Sequence, residues 1–142
     1  MKKIMILSMN IALVISAIFG FGHFFIPYVF RWHDYLQDVP KYIVVSVDWI
    51  NFFFSLLLLG NSILLINYQA YIRNKNSIAL SFYGFLVFTY FCKSIITFVY
   101  PWGVHYIADL IEQIASLFEF LLLLLPLIYL LLQGRDTKKA TA

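Results

Sequence analysis

Four ionisable side chains, Asp48, Lys93, Glu112 and Glu119, stand inside stretches that are otherwise rich in Leu, Ile, Val and Phe. A charge held in such surroundings is costly, so it faces a protein interior or a water-filled cavity and takes a partner. Three acids and one base allow two kinds of chemistry. Lys93 can neutralise one carboxylate, either Glu112 or Asp48. An acid left without a base can carry a proton, and then it can relay that proton, ligate a cation or donate a hydrogen bond to a bound molecule. Glu119 is the acid expected in that role.

Spacing places these groups on common faces. Asp48, Asn51, Ser55 and Ser62 follow 3-4-7 steps, and Asp109, Glu112, Ser116 and Glu119 follow 3-4-3 steps. Thr89, Lys93 and Thr97 follow 4-4 steps, and Ser16, Gly20 and His23 follow 4-3 steps. Each set forms one stripe of a helix. At 1.5 Å per residue, Asp48 lies about 9 Å and Asn51 about 13 Å below the start of their helix, and Lys93 about 10 Å below the end of its own. Glu112 lies at a similar depth, and Glu119 lies near mid-span. His23 closes the first helix at the same end. The expectation is one polar pocket in the outer half of a bundle, built from His23, Asp48, Asn51, Lys93, Glu112 and Glu119.

The elements that must hold these residues are membrane helices. Of 142 residues, 63% are hydrophobic and 12% are charged, and the mean hydropathy is +0.86. Soluble domains carry roughly 25% charged residues. A spanning helix needs about 20 mostly apolar residues. Four segments meet this, at about 4–22, 42–66, 78–100 and 106–132, followed by a short basic tail at 133–142. None alternates as a barrel strand does. Short links force antiparallel neighbours, so the predicted fold is all-α: a single domain, an antiparallel four-helix transmembrane bundle. Pro27 and Pro40 bracket the first link, 67–77 forms the second, and Pro101 opens the third. The first apolar run is long for a signal peptide and is read as a retained helix.

Lys2, Lys3, Arg73, Lys75, Arg135, Lys138 and Lys139 fall on one side of this scheme, with only Arg31 and Lys41 opposite. That bias puts both termini in the cytoplasm. It also explains the net charge of +3 without nucleic acid. Trp32, Trp49 and Trp102, with neighbouring tyrosines, read as an aromatic belt at the outer ends. The single cysteine, Cys92, excludes an intramolecular disulfide and any Cys-x-x-Cys motif, and reads as a small buried hydrophobe. His23, His33 and His105 belong to the outer half but show no metal or haem spacing along one helix. Pro126 is expected to kink the fourth helix or open its backbone. There is no phosphate loop, nucleophile elbow or His-Glu-x-x-His, and no pair reads as nucleophile and base. The many phenylalanines supply packing bulk, and stacking walls for a flat ligand such as a quinone.

The stretch Gly22-His23-Phe24-Phe25-Ile26-Pro27-Tyr28-Val29-Phe30, followed by Val39-Pro40, resembles the His-Phe-x-x-Pro-x-x-Phe then Val-Pro pattern of DoxX-like proteins. Lys41-Tyr42 stand where a second proline often follows in that family, and Asp48 matches its early acidic residue loosely. The resemblance implies a small four-helix protein of the bacterial inner membrane, in some members tied to quinone-dependent sulfur oxidation or oxidative stress. It also implies that His23 and Pro27 shape the outer mouth.

Three functions fit these residues. The first is binding of a small lipophilic molecule, with a quinone as the candidate cofactor, or service as a redox-accessory subunit. The second is a proton- or cation-coupled carrier or channel, working as a homo-oligomer with Glu119 as its protonated group. The third is a structural subunit or assembly factor for a membrane partner protein. All three share the lipid bilayer as solvent.

Overall fold

The computed structural model describes residues 2–101 and 106–139. Trp102 and His105 lie outside the described residues. Within them, all regular structure is helical: α1 (Lys2–His23), α2 (Ile26–Val29), α3 (Trp32–Tyr35), α4 (Lys41–Asn67), α5 (Gln69–Arg73), α6 (Ser77–Val99) and α7 (Tyr106–Lys139). α1, α4, α6 and α7 are long and apolar enough to cross a membrane. The fold is an all-α polytopic bundle.

Local chemistry sets the ends of these helices. Pro40, with extended ψ of 133°, starts α4, and the Asn76 side chain caps α6 by accepting the Ala79 amide at 3.2 Å. α6 stops at Val99 because Tyr100 precedes Pro101, which disfavours helical geometry in the residue before it, and Tyr100 sits at ψ 74°. The links at 27–40 and 67–77 carry short helices of their own, α2, α3 and α5, and one expected boundary needs correction. The tail begun at 133 instead continues α7 through Gly134 to Lys139.

α1 packs against both α4 and α7, α6 packs against α7, and α4 meets α6, which closes the ring. The core is thin. It centres on Met9, Leu13, Leu58, Tyr83, Leu86, Tyr90 and Leu123, while long rows of Phe, Leu and Ile on every long helix stay exposed. In water such rows would drive aggregation, whereas in hydrocarbon they are the natural outer face of a bundle.

Two contacts fix how the helices meet. Gly20 lets α1 lie directly on α4, where a Cβ would stand 2.5 Å from the Leu59 nitrogen and 2.8 Å from its Cα. Pro126 stays within α7 but has no N–H for the Leu122 carbonyl four residues earlier. The Ser8 hydroxyl of α1 donates to that carbonyl at 3.1 Å, and the Tyr83 hydroxyl of α6 donates to the next one, of Leu123, at 2.8 Å. The proline opens the α7 backbone, and two neighbouring helices satisfy it.

Candidate functional site

The single polar pocket expected from four stripes is divided in the structure. α1, α6 and α7 bring one group of polar residues together. α4 turns Asp48 into a different cleft.

The first cleft, of about 420 Å³, opens at the end of the bundle that carries α2. Its walls are α1 (Phe19, Gly22, His23), α2 and its end (Ile26, Phe30), Lys93 of α6, and the first turns of α7 (Asp109, Ile111, Glu112, Ala115, Ser116). Lys93 Nζ lies 3.6 Å from Glu112 Oε1, and 5.6 Å from the centroid of the Phe19 ring. Of the two partners expected for Lys93, the structure selects Glu112. A 19-residue separation in sequence becomes an ion pair because α6 and α7 run antiparallel, with their near ends joined by a short link. The pair sits in the cleft wall with both side chains mostly covered. The His23 ring lies on the same wall and meets Phe54 edge-to-face, with centroids 5.2 Å apart.

Beneath the cleft, Glu119 is 1% exposed. Its Oε1 accepts a 2.7 Å hydrogen bond from the Ser16 hydroxyl, which ties α7 to α1. Its Oε2 has no hydrogen-bond partner among the described residues, and neither has the buried Tyr90 hydroxyl. A buried polar atom without a partner carries its desolvation cost uncompensated. Between cleft and base, the Thr97 and Ser116 hydroxyls lie 3.2 Å apart, and Gln113 Nε2 donates to the Thr97 carbonyl at 3.1 Å.

Asp48 faces elsewhere. Its two carboxylate oxygens lie 3.0 and 3.1 Å from Nε2 of His33, in a second cleft of about 490 Å³. Asn51 lines that cleft too, and its Nδ2 donates to the His23 carbonyl at 3.0 Å, satisfying a free carbonyl at the end of α1. The α4 stripe therefore splits. Ser55 and Ser62 are buried but donate to carbonyls four residues back in their own helix, at 2.6 and 2.7 Å. On α6, Thr89 likewise donates to the Phe85 carbonyl at the exposed face. Such back-bonding absorbs a hydroxyl without building a site.

Sequence reasoning passed over Tyr83 and Tyr90, whose spacing with Leu86, Val87, Ser94 and Thr97 marks the buried face of α6. It also passed over the His33–Asp48 pairing, which no helical period could reveal, since His33 comes from a link. His105, the third histidine, lies outside the described residues. Among the described residues, no group of three His, Cys, Asp or Glu side chains could hold a metal ion.

Comparison with protein-family models, curated proteins and solved structures finds no match to this chain.

Proposed function

We propose that this multi-pass membrane protein binds a small lipophilic molecule in the cleft between α1, α6 and α7. The observation that carries the reading is the Lys93–Glu112 ion pair, set in the wall of a cleft otherwise lined mainly by Phe, Ile and Ala. Apolar clefts of roughly 300–1,000 Å³ with a few convergent polar groups are the usual form of small-molecule sites. An ion pair is expensive to keep in an apolar wall and gives little net stability there. The Lys93 ammonium can turn from Glu112 to an acceptor on a ligand, and His23 offers a second polar contact. A flat molecule with a carbonyl at one end, a quinone above all, suits a cleft that offers the Phe19 and Phe30 rings and an ammonium at Lys93. In this reading the basic residues near both termini and in the α4–α6 link lie on the cytoplasmic side, and the DoxX-like stretch points to a bacterial inner membrane.

The test is native mass spectrometry, with an absorption scan, on protein purified in mild detergent. The wild type is expected to carry a bound lipophilic mass that Lys93→Met loses. Full retention of the mass by that variant overturns the proposal.

A second reading, proton-coupled transport by an oligomer, is favoured by Glu119. One of its carboxyl oxygens accepts from Ser16 and the other has no hydrogen-bond partner among the described residues, and this buried carboxyl is the group the reading assigns to carry the proton. On this reading Glu119→Gln abolishes pH-driven flux in proteoliposomes. Flux equal to wild type would remove Glu119 from any such role.

A further inference from the structure

The second cleft differs in chemistry from the first. Its rings are Phe24 in the turn after α1, Tyr28 of α2, and Trp49, Phe52 and Phe53 of α4. They meet edge-to-face: Phe24 on Phe52 at 5.5 Å, Phe52 on Phe53 at 5.7 Å and Trp49 on Phe53 at 6.3 Å between centroids. Among the described residues, Asp48 is the single carboxylate that lines this cleft, and no lysine or arginine lines it. The steps 49-52-53 put the indole and two phenyl rings on one face of α4, turned from the buried stripe of Ser55, Leu58, Ser62 and Leu65, and Asp48 stands at the border of the two.

The remaining wall is folded into place. Arg31, a non-glycine residue, adopts the left-handed conformation at φ 51° between α2 and α3. That conformation is disfavoured for a residue with a side chain, and it turns α3 back so that His33 reaches Asp48. The Arg31 guanidinium is drawn off to Asp34, at 2.6 Å, and away from the cleft's own carboxylate.

We propose that this cleft binds an amphipathic organic cation, a quaternary or protonated amine carrying an apolar group, over the faces of Trp49 and its neighbouring rings and beside Asp48. Aromatic faces attract a cation within about 6 Å of the ring centroid, and a quaternary ammonium loses little hydration on entering such a site. The cleft's volume suits a ligand of that kind. A single acid balances the charge. His33 holds Asp48 in the empty site and competes with the ligand for it. The same chemistry is offered by a free amphiphilic amine and by the choline headgroup of a lipid, and the site lies at the helix end where either would arrive.

Isothermal titration calorimetry of the protein in nonionic detergent with benzyltrimethylammonium tests this, with neopentylbenzene as the uncharged isostere. Saturable binding of the cation alone is expected. Asp48→Asn should weaken it about tenfold, and Trp49→Leu several-fold, in line with a lost countercharge and an exposed cation–π contact. His33→Gln should bind at least as tightly as wild type, because the competitor for Asp48 is gone. A purely structural His33–Asp48 link predicts the reverse. Equal binding of neopentylbenzene, unchanged affinity in Asp48→Asn of wild-type helicity, or weaker binding in His33→Gln would overturn the proposal. Repeating the titration in nanodiscs separates the sources. Displacement by phosphatidylcholine but not phosphatidylglycerol identifies a lipid headgroup as the occupant, and displacement by neither identifies a free amine.

Discussion

Gly20→Leu is expected to stop the bundle from assembling. A Cβ at this position would meet the Leu59 nitrogen at 2.5 Å, its Cα at 2.8 Å and the Leu58 carbonyl carbon at 3.1 Å. These are backbone atoms of α4 and cannot rotate aside, so the two helices must separate. Separation would disrupt what their contact holds, including the Asn51–His23 bond and the buried seating of Leu58. Overpacking commonly costs about 1–3 kcal/mol where side chains can adjust, and a backbone clash lies at or above the top of that range. Gly60→Leu and Gly84→Leu supply the comparison, since a Cβ at either glycine meets nothing within 4 Å and leucine improves helix propensity. Size-exclusion profiles and thermal midpoints in detergent would show loss of the folded species for Gly20→Leu and near wild-type behaviour for the other two. A Gly20→Leu protein as stable as Gly60→Leu would mean that α1 and α4 do not meet here.

The second large effect concerns the ion pair in the first cleft. Glu112→Leu removes the carboxylate 3.6 Å from Lys93 and leaves the ammonium in a mainly apolar wall. Loss of one member of a covered pair costs on the order of 3 kcal/mol, whereas replacing both by apolar groups is often close to neutral. Thermal midpoints of Glu112→Leu, Lys93→Met and the double variant should therefore be strongly non-additive, with the double variant recovering most of the loss. Additive midpoints would show that the two side chains do not act on each other. The double variant also separates stability from binding. Folded but lacking Lys93, it should still fail to retain the lipophilic mass expected for the wild type.

The membrane class of this chain was plain from its residues because hydrocarbon imposes a simple rule. Every spanning backbone must satisfy its own hydrogen bonds, so each crossing is a helix of about 20 apolar residues, and such runs are visible without any knowledge of contacts. The four helices begin and end within a few residues of the expected limits, except for α7, which continues through Gly134 to Lys139. Lys93 and Glu112 were legible as partners for a related reason. They sit at matching depths on consecutive antiparallel helices, and only two acids were in range.

The grouping of polar residues was less legible, because helical period gives a face and not the neighbour it turns toward. Asp48 and Ser55 share a 3-4-7 series, yet one lines an aromatic cleft and the other is buried in the bundle. Ser55 lies seven residues, about 10 Å, farther along the helix than Asp48, so the two meet different neighbours although they point almost the same way. The Asp48–His33 contact rests on a left-handed Arg31, and positive φ at a residue other than glycine has no dependable mark in sequence.

The chain by itself determined four apolar helices long enough to cross a membrane and their alternating directions, since these follow from hydrophobicity and the short links between them. Only the tertiary structure decided that α1 sits between α4 and α7, that Glu119 meets Ser16, and that the polar residues divide between two clefts. The physical reason lies in small, non-periodic events. A glycine allows two backbones to touch, a proline frees a carbonyl that a neighbouring hydroxyl takes up, and one strained turn carries a histidine back to an aspartate.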